Sequence, residues 1–208
     1  MKTWLKSAKP RLATGIIVSL VMLQMNVHAA VNIGQPAPDF SGVDSNGKTH
    51  SLSQYKGKTV VLEWTNHDCP YVRKHYDSNK MQNLQKSATD NGEVWLSIIS
   101  SAPGKQGHVS GTAANDLTAS RNAAPTAVIL DEKGEIGRMY AAKTTPHMYI
   151  VDKQGTLAYM GGIDSIPSKD ADDIEKATNY ISTALNEIAG NKPVSQAITR
   201  PYGCSVKY

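Results

Sequence analysis

Cysteine is scarce in this sequence: there are two, Cys69 and Cys204, in 208 residues. That allows at most one internal disulfide. A long apolar run is also missing. The stretch from Leu12 to about Met25 is broken by Thr14, Gly15 and Ser19, and it falls short of the ~20 apolar residues that span a bilayer. There is no internal repeat, no low-complexity tract and no second linker-like shift in composition. No acidic residue occurs among the first thirty positions.

Those thirty positions carry Lys2, Lys6, Lys9 and Arg11, then the apolar run, then Val27-His28-Ala29-Ala30. A basic start, a short apolar centre and small residues at a cut are the parts of a secretory signal peptide. Cleavage is expected after Ala29; a retained anchor is the alternative. The expected division is a signal peptide at 1–29, a domain at 30–190 and a tail at 191–208 carrying Cys204. The expected compartment is the periplasm, with full secretion as the other outcome. Removing the signal's four basic residues from the total of 22 leaves 18, against 18 acidic residues. A balance near zero gives no reason to expect nucleic acid or a membrane surface as a partner. A mature chain of 208 less 29 residues suits one domain with one good core, and such a domain needs no disulfide staple.

Along that chain, Asn46-Gly47 predicts a hairpin turn between short strands near Phe40 and His50-Ser51-Leu52. Buried strands are expected at 59–64, 94–99, 126–131 and 147–152, each dense in β-branched and apolar residues. Residues 156–160 form a plausible hairpin partner to the last of these. Helical spacing runs from Pro70 to about Ala88, with Ser78-Asn79 as a weak point. Helices are also expected at about 112–123, at 135–142 and over about Asp170 to Ala189. In the last, Ile174, Ala177, Ile181, Ala184, Leu185 and Ile188 share a face and Gly190 stops the helix. The residues after it read as an irregular tail. Strands alternating with helices predict an α/β domain, a largely parallel sheet with an antiparallel edge and helices on both faces.

Cys69 follows a strand and precedes Pro70, which is favoured at the first helical position, so Cys69 is expected at the N-cap. There the sulfur meets unpaired backbone N–H groups and the positive end of the helix dipole, and both favour the thiolate nucleophile. Arg73, one turn on, is the candidate to add positive charge and to contact substrate; His67 and His75 are weaker candidates, and Asp68 opposes the effect. Trp64 and Trp95 read as core residues, with Trp64 close enough to report on Cys69. A small buried hydrophobe is the other reading of this cysteine.

Val60-Val61-Leu62-Glu63-Trp64 followed by Cys69-Pro70-Tyr71-Val72 resembles the active-site strand and loop of the thioredoxin superfamily. Thr145-Pro146 before a strand resembles that superfamily's cis-proline. Gly34-Gln35-Pro36-Ala37-Pro38-Asp39-Phe40 and the Gly47-Lys48 turn are similar to the start of the redoxin and peroxiredoxin-like branch, which includes the alkyl hydroperoxide reductase/thiol-specific antioxidant group. The end of the chain, Tyr202-Gly203-Cys204-Ser205-Val206-Lys207-Tyr208, is similar to exported redoxins with a carboxy-terminal cysteine. The resemblance implies a thioredoxin-like fold, with a central mixed sheet, helices on both faces and an N-terminal β-hairpin extension. It also implies a cis Pro146, with Thr145 presenting backbone groups beside Cys69 to an extended substrate or a mixed disulfide.

Two positions depart from the family pattern. Val72 stands where the second cysteine of a local dithiol motif would be, and Thr65-Asn66-His67-Asp68 does not supply the Pro and Thr/Ser that precede a peroxidatic cysteine. The resemblance therefore assigns Cys204, on a tail able to swing towards Cys69, as resolving cysteine. A static Cys69–Cys204 bond, or pairing with another molecule, stays open. The implied chemistry is thiol oxidoreduction on a peroxide or a disulfide-containing protein, with a thiol reductant and no cofactor or metal. A copper chaperone using Cys69 with His67, His75 or His147 is an alternative, and a redoxin scaffold with a locked disulfide is another. Ala102-Pro103-Gly104-Lys105-Gln106-Gly107 lacks the spacing of a phosphate-binding loop.

Overall fold

The computed structural model describes residues 1–2 and 31–208, so all but the first two residues of the expected signal peptide lie outside the described residues. Among the described residues, no helix is long and apolar enough to cross a membrane.

The chain opens with the expected hairpin, β1 (Ser41–Val43) against β2 (Thr49–Ser51), antiparallel with Gly42 opposite His50. Gly47 turns it at φ +80°, a conformation that costs glycine little. The Asp44 carboxylate accepts the N–H groups of Asn46 and Lys48, each at 2.9 Å. The main sheet follows: β3 (Val60–Trp64), β4 (Val94–Ile99), β5 (Ala127–Leu130), β7 (His147–Val151) and β8 (Leu157–Gly161). The order is β5-β4-β3-β7-β8; β3, β4 and β5 are parallel, and β7 and β8 run antiparallel to their neighbours. This is the mixed sheet expected.

Every residue of β3 is buried, and alternation along the strand sorts them to two cores. Val60, Leu62 and Trp64 join Phe40, Leu96, Ile98, Ile129, Tyr140 and Tyr149 on one face. Val61 joins Cys69, Val72, Trp95, Met148, Ile150, Tyr159 and Ile181 on the other. Trp64 therefore packs across the sheet from Cys69, and Trp95 is the tryptophan in its cluster. Helices cover both faces: α1 (Pro70–Asp77), α2 (Lys80–Asp90) and α5 (Tyr180–Ala189) contribute to the Cys69 side, and α4 (Glu135–Met139) to the other. The helix α3 (Gly111–Ser120) packs Ala114 on Ile99 and Val128.

Two expected helices are shorter than their periodicity suggested. The run from Pro70 breaks at Ser78-Asn79, where Asn79 takes a left-handed conformation, φ +61°. The helix expected from Asp170 begins at Tyr180. Asn179 caps it by accepting the Ser182 N–H at 2.9 Å, while Ser165 N–H bonds Thr178 O and Tyr180 N–H bonds Ile163 O. That pairing draws 178–180 onto the 163–165 loop, so Ile174 and Ala177 do not extend the helix face. Only a short 3-10 turn forms before it, at Ala171–Asp173.

The tail is not irregular. It runs beside β8 through a Met160–Ile198 bridge and forms β9 (Cys204–Ser205), which pairs antiparallel with β6 (Thr144–Thr145). It ends along Ser101, just past β4.

Candidate active site

Cys69 occupies the N-cap of α1 with extended backbone, φ −76° and ψ 123°, and Pro70 follows as the first helical residue. The loop before it is held at several points. Asn66 Oδ1 accepts the Asp68 N–H at 2.9 Å, Asn66 Nδ2 donates to Gln106 O at 3.2 Å, and Arg121 donates to His67 O at 3.2 Å. The Cys69 side chain has no solvent exposure. Its Sγ lies 3.2 Å from Thr145 O, and the Thr145–Pro146 peptide bond is cis. Thr145 is buried and pairs with Cys204 in the β6–β9 register. The structure thus gathers Cys69, Thr145, Pro146 and Cys204 at one place, with both cysteines as free thiols.

Burial pushes the Cys69 thiol up. Hydrogen bonds from the Cys204 side chain and backbone, from Thr145 and from the Val72 backbone outweigh it and hold the group below the usual thiol range. Cys204 moves the other way, to about 11, through burial and then through its hydrogen bond with Cys69 and the charge there. The two thiols are therefore shifted in opposite directions, Cys69 down and Cys204 up.

The cations proposed from the sequence do not make this polarity. Arg73 lies on the exposed side of α1, and His67 pairs with Asp68 at 3.4 Å. His75 points to a group the sequence did not reveal. Lys74 and His75 are buried, with Lys74 Nζ 3.6 Å and His75 Nε2 3.8 Å from Asp164 Oδ2. The Tyr202 hydroxyl donates to Asp164 Oδ1 at 2.5 Å and stands 3.4 Å from His75 Nε2. Burial first, and Lys74 after it, bring His75 down to about 4 against the opposing pull of Asp164. The only sequence signal for this group is that position 75 falls three residues after Val72, on the inward side of α1. A second buried acid, Glu63 on β3, accepts from Tyr76 OH at 2.9 Å, Gln85 Nε2 at 3.1 Å, Trp95 Nε1 at 2.8 Å and Ser97 Oγ at 2.9 Å.

Among the described residues, no three or more His, Cys, Asp or Glu side chains converge as a metal site. His147 is buried, its Nδ1 accepting the Lys143 N–H at 3.2 Å. Beside the loop is a cavity of about 40 Å³ lined by Thr65, His67, Tyr76 and Arg121. A groove of about 440 Å³ is bordered by Lys143, His147, Tyr149 and Pro201. Neither is lined by Cys69 or Cys204, in keeping with a thiol sealed by its own tail.

Residues 33–160 match the AhpC/TSA family. The chain belongs to that family. The AhpC/TSA match contains Cys69, Thr145 and Pro146 and stops before the tail. Over 135 residues the chain is 27% identical to a thiol-disulfide oxidoreductase, ResA, of Geobacillus kaustophilus, covering 62% of this chain and 68% of that one. Among solved structures it is similar to an uncharacterized conserved protein from Geobacillus kaustophilus, with TM-score 0.70, 22% identity, and coverage of 86% and 94%. It also resembles the thioredoxin domain of a thiol-disulfide oxidoreductase from Bacteroides vulgatus, with TM-score 0.50, 18% identity, and coverage of 71% and 98%. This AhpC/TSA member has the thioredoxin-like fold expected from its sequence.

Proposed function

We propose that the protein is an exported thiol-disulfide oxidoreductase of thioredoxin and redoxin type, with Cys69 as nucleophile and Cys204 as resolving cysteine. The observation that carries this reading is the meeting of Cys69, at the N-cap of α1, with Cys204 and the cis Thr145–Pro146 bond at the β6–β9 edge. Family membership and the named relatives support the broad class. The basic and apolar character of residues 1–29 supports export, and the periplasm is the proposed compartment.

In disulfide exchange the Cys69 thiolate attacks one sulfur of a substrate disulfide and releases the other as a thiolate. Cys204 then loses its proton and attacks the Cys69 sulfur, freeing the second substrate thiolate and closing the Cys69–Cys204 bond. Thr145, on the cis-Pro146 edge, accepts the S–H of the resting Cys69 thiol at its carbonyl and offers backbone groups to an extended substrate segment. Because Cys69 is sealed, β9 lifts to admit the substrate. A thiol reductant restores the dithiol.

A second reading, favoured by the AhpC/TSA match, starts from a hydroperoxide. Cys69 takes the terminal oxygen to become a sulfenic acid, an alcohol or water leaves, and Cys204 displaces water to give the same disulfide.

The test is to reduce the protein and mix it with hydrogen peroxide or a small disulfide, beside a Cys204→Ser control. Trp95 fluorescence and intact mass follow the reaction. A Cys69–Cys204 bond in the wild type alone supports the pair, and the faster oxidant names the substrate class. Failure of both oxidants to join the two cysteines overturns the reading.

A further inference from the structure

Cys204 has to be held in place on a tail, and two clamps flank it. Downstream, Val206 N–H donates to Lys143 O at 3.1 Å and the Tyr208 hydroxyl to Ala142 O at 2.8 Å. These bonds fix the chain beyond β9 to the segment leading into β6. Upstream, the clamp is a side chain inside a buried ionic group. Tyr202 is 9% exposed and sits two residues before Cys204, with Gly203 between. Its hydroxyl donates to Asp164, its ring packs on Tyr71 at 5.9 Å, and Lys74 Nζ lies 5.8 Å from the ring centre.

Tyr71 and Lys74 belong to α1, whose N-cap is Cys69. The helix that presents the first cysteine therefore also anchors the residue that presents the second. Gly203 permits the arrangement. Its φ is +137°, and a side chain there would fall against the Thr145 carbonyl oxygen. The backbone between Tyr202 and Cys204 lies directly on the cis-proline edge.

We propose that Tyr202 is a positioning residue for the thiol chemistry, its hydroxyl on Asp164 holding Cys204 against Cys69. The proposal rests on the function read above and extends it to a residue outside the cysteine pair. Asp164 is the acceptor, and Lys74 and His75 keep it in place beneath the tail. The consequence is a coupling. Whatever loosens Tyr202 withdraws the Cys204 hydrogen bond from Cys69 and also slows closure of the disulfide.

Tyr202→Phe removes the oxygen and keeps the ring against Tyr71 and Lys74. Two readouts in the folded, reduced protein separate positioning from general stability. The first is the pH profile of Cys69 alkylation by iodoacetamide, whose midpoint moves up in the variant. The second is the rate of Cys69–Cys204 closure after a stoichiometric small disulfide, which falls about tenfold or more when the resolving thiol is misplaced. Gly203→Ala displaces the same segment by sterics and is expected to move both readouts the same way. If Gly203→Ala shifts them and Tyr202→Phe matches wild type, the proposal is overturned. If wild type itself forms no Cys69–Cys204 bond, the proposed function fails first and this inference falls with it.

Discussion

The protein buries two carboxylates close to α1, and they are held in opposite ways. Glu63 lies mid-strand in β3 and accepts four hydrogen bonds from neutral donors on β4, α1 and α2. Each of those donors is part of the central scaffold. Asp164 lies in a loop after β8 and is matched by a cation, Lys74, a histidine and a tyrosine from the tail. The first acid joins the sheet to the helices packed on it. The second joins the helix of one cysteine to the tail of the other. A buried charge thus serves rigidity where its partners come from the scaffold, and couples separate parts of the chain where they do not.

The largest effect is expected at Glu63. Glu63→Leu fills the space but leaves the Tyr76, Gln85, Trp95 and Ser97 donors without their acceptor, a loss of about 4 kcal/mol in unfolding free energy. Denaturant titration measures it. In the molecules that remain folded, Cys204 is expected to keep its wild-type accessibility to a thiol reagent, because the four donors to Glu63 come from α1, α2 and β4.

Asp164→Asn is expected to cost less in stability, about 3 kcal/mol, by leaving the Lys74 ammonium buried without its counter-charge. Here Cys204 becomes more accessible in the folded protein. An unchanged Cys204 would erase the contrast between the two acids.

Acid separates them further. His75 beside Asp164 sits at about 4 when folded, against an ordinary value of 6.5. Between those values the unfolded chain binds the proton and the folded chain does not, so stability falls as pH drops from about 6.5 towards 4. By pH 5 this histidine accounts for about 2 kcal/mol. His147, brought down by burial to about 3, adds in the same direction. Calorimetry at pH 7 and pH 5 shows the loss, and His75→Gln flattens its share. The hydrogen-bond donors to Glu63 among the described residues are a tyrosine, a glutamine, a tryptophan and a serine, with no histidine.

The smallest effect is at Arg73, exposed on α1. Arg73→Ala is expected to stay within about 0.5 kcal/mol of wild type and to leave the pH profile of Cys69 alkylation in place. A clear shift of that profile would move the source of Cys69's acidity from Cys204 to the helix surface.

What could be read from the sequence was local. The run Val60–Trp64, the Cys69-Pro70 junction and the Asn46-Gly47 turn depend on neighbours a few residues away, and all form as expected. The cis Pro146 came through resemblance. Lys74, which was not singled out from the sequence, differs from Arg73 in helical phase: one residue is a turn of about 100°, since an α-helix has ~3.6 residues per turn. That rotation puts Lys74 inside and Arg73 out. Strand alternation held the answer for the tryptophans, because Trp64 shares its face with Val60 and Leu62 and lies away from Cys69. The long helix from Asp170 was a true period in the residues, overridden when Asn179 capped a shorter one. The pairing of the tail had no local signal; only the resemblance of residues 202–208 pointed to Cys204. The tail's pairing of Cys204 with Thr145 joins positions 59 apart, and its anchor at Asp164 depends on Lys74 and His75 of α1, distant in the chain.

The two cysteines also stand far apart along the chain, at 69 and 204, so joining them closes a loop of 135 residues. In the chain-entropy account, tying off a loop of that length removes enough freedom from the unfolded state to stabilise the folded one by about 4–5 kcal/mol. Oxidation by a substrate would then do more than store two electrons. It would convert the protein into a form slower to unfold and harder to digest, so that redox state could be read from its survival under a protease.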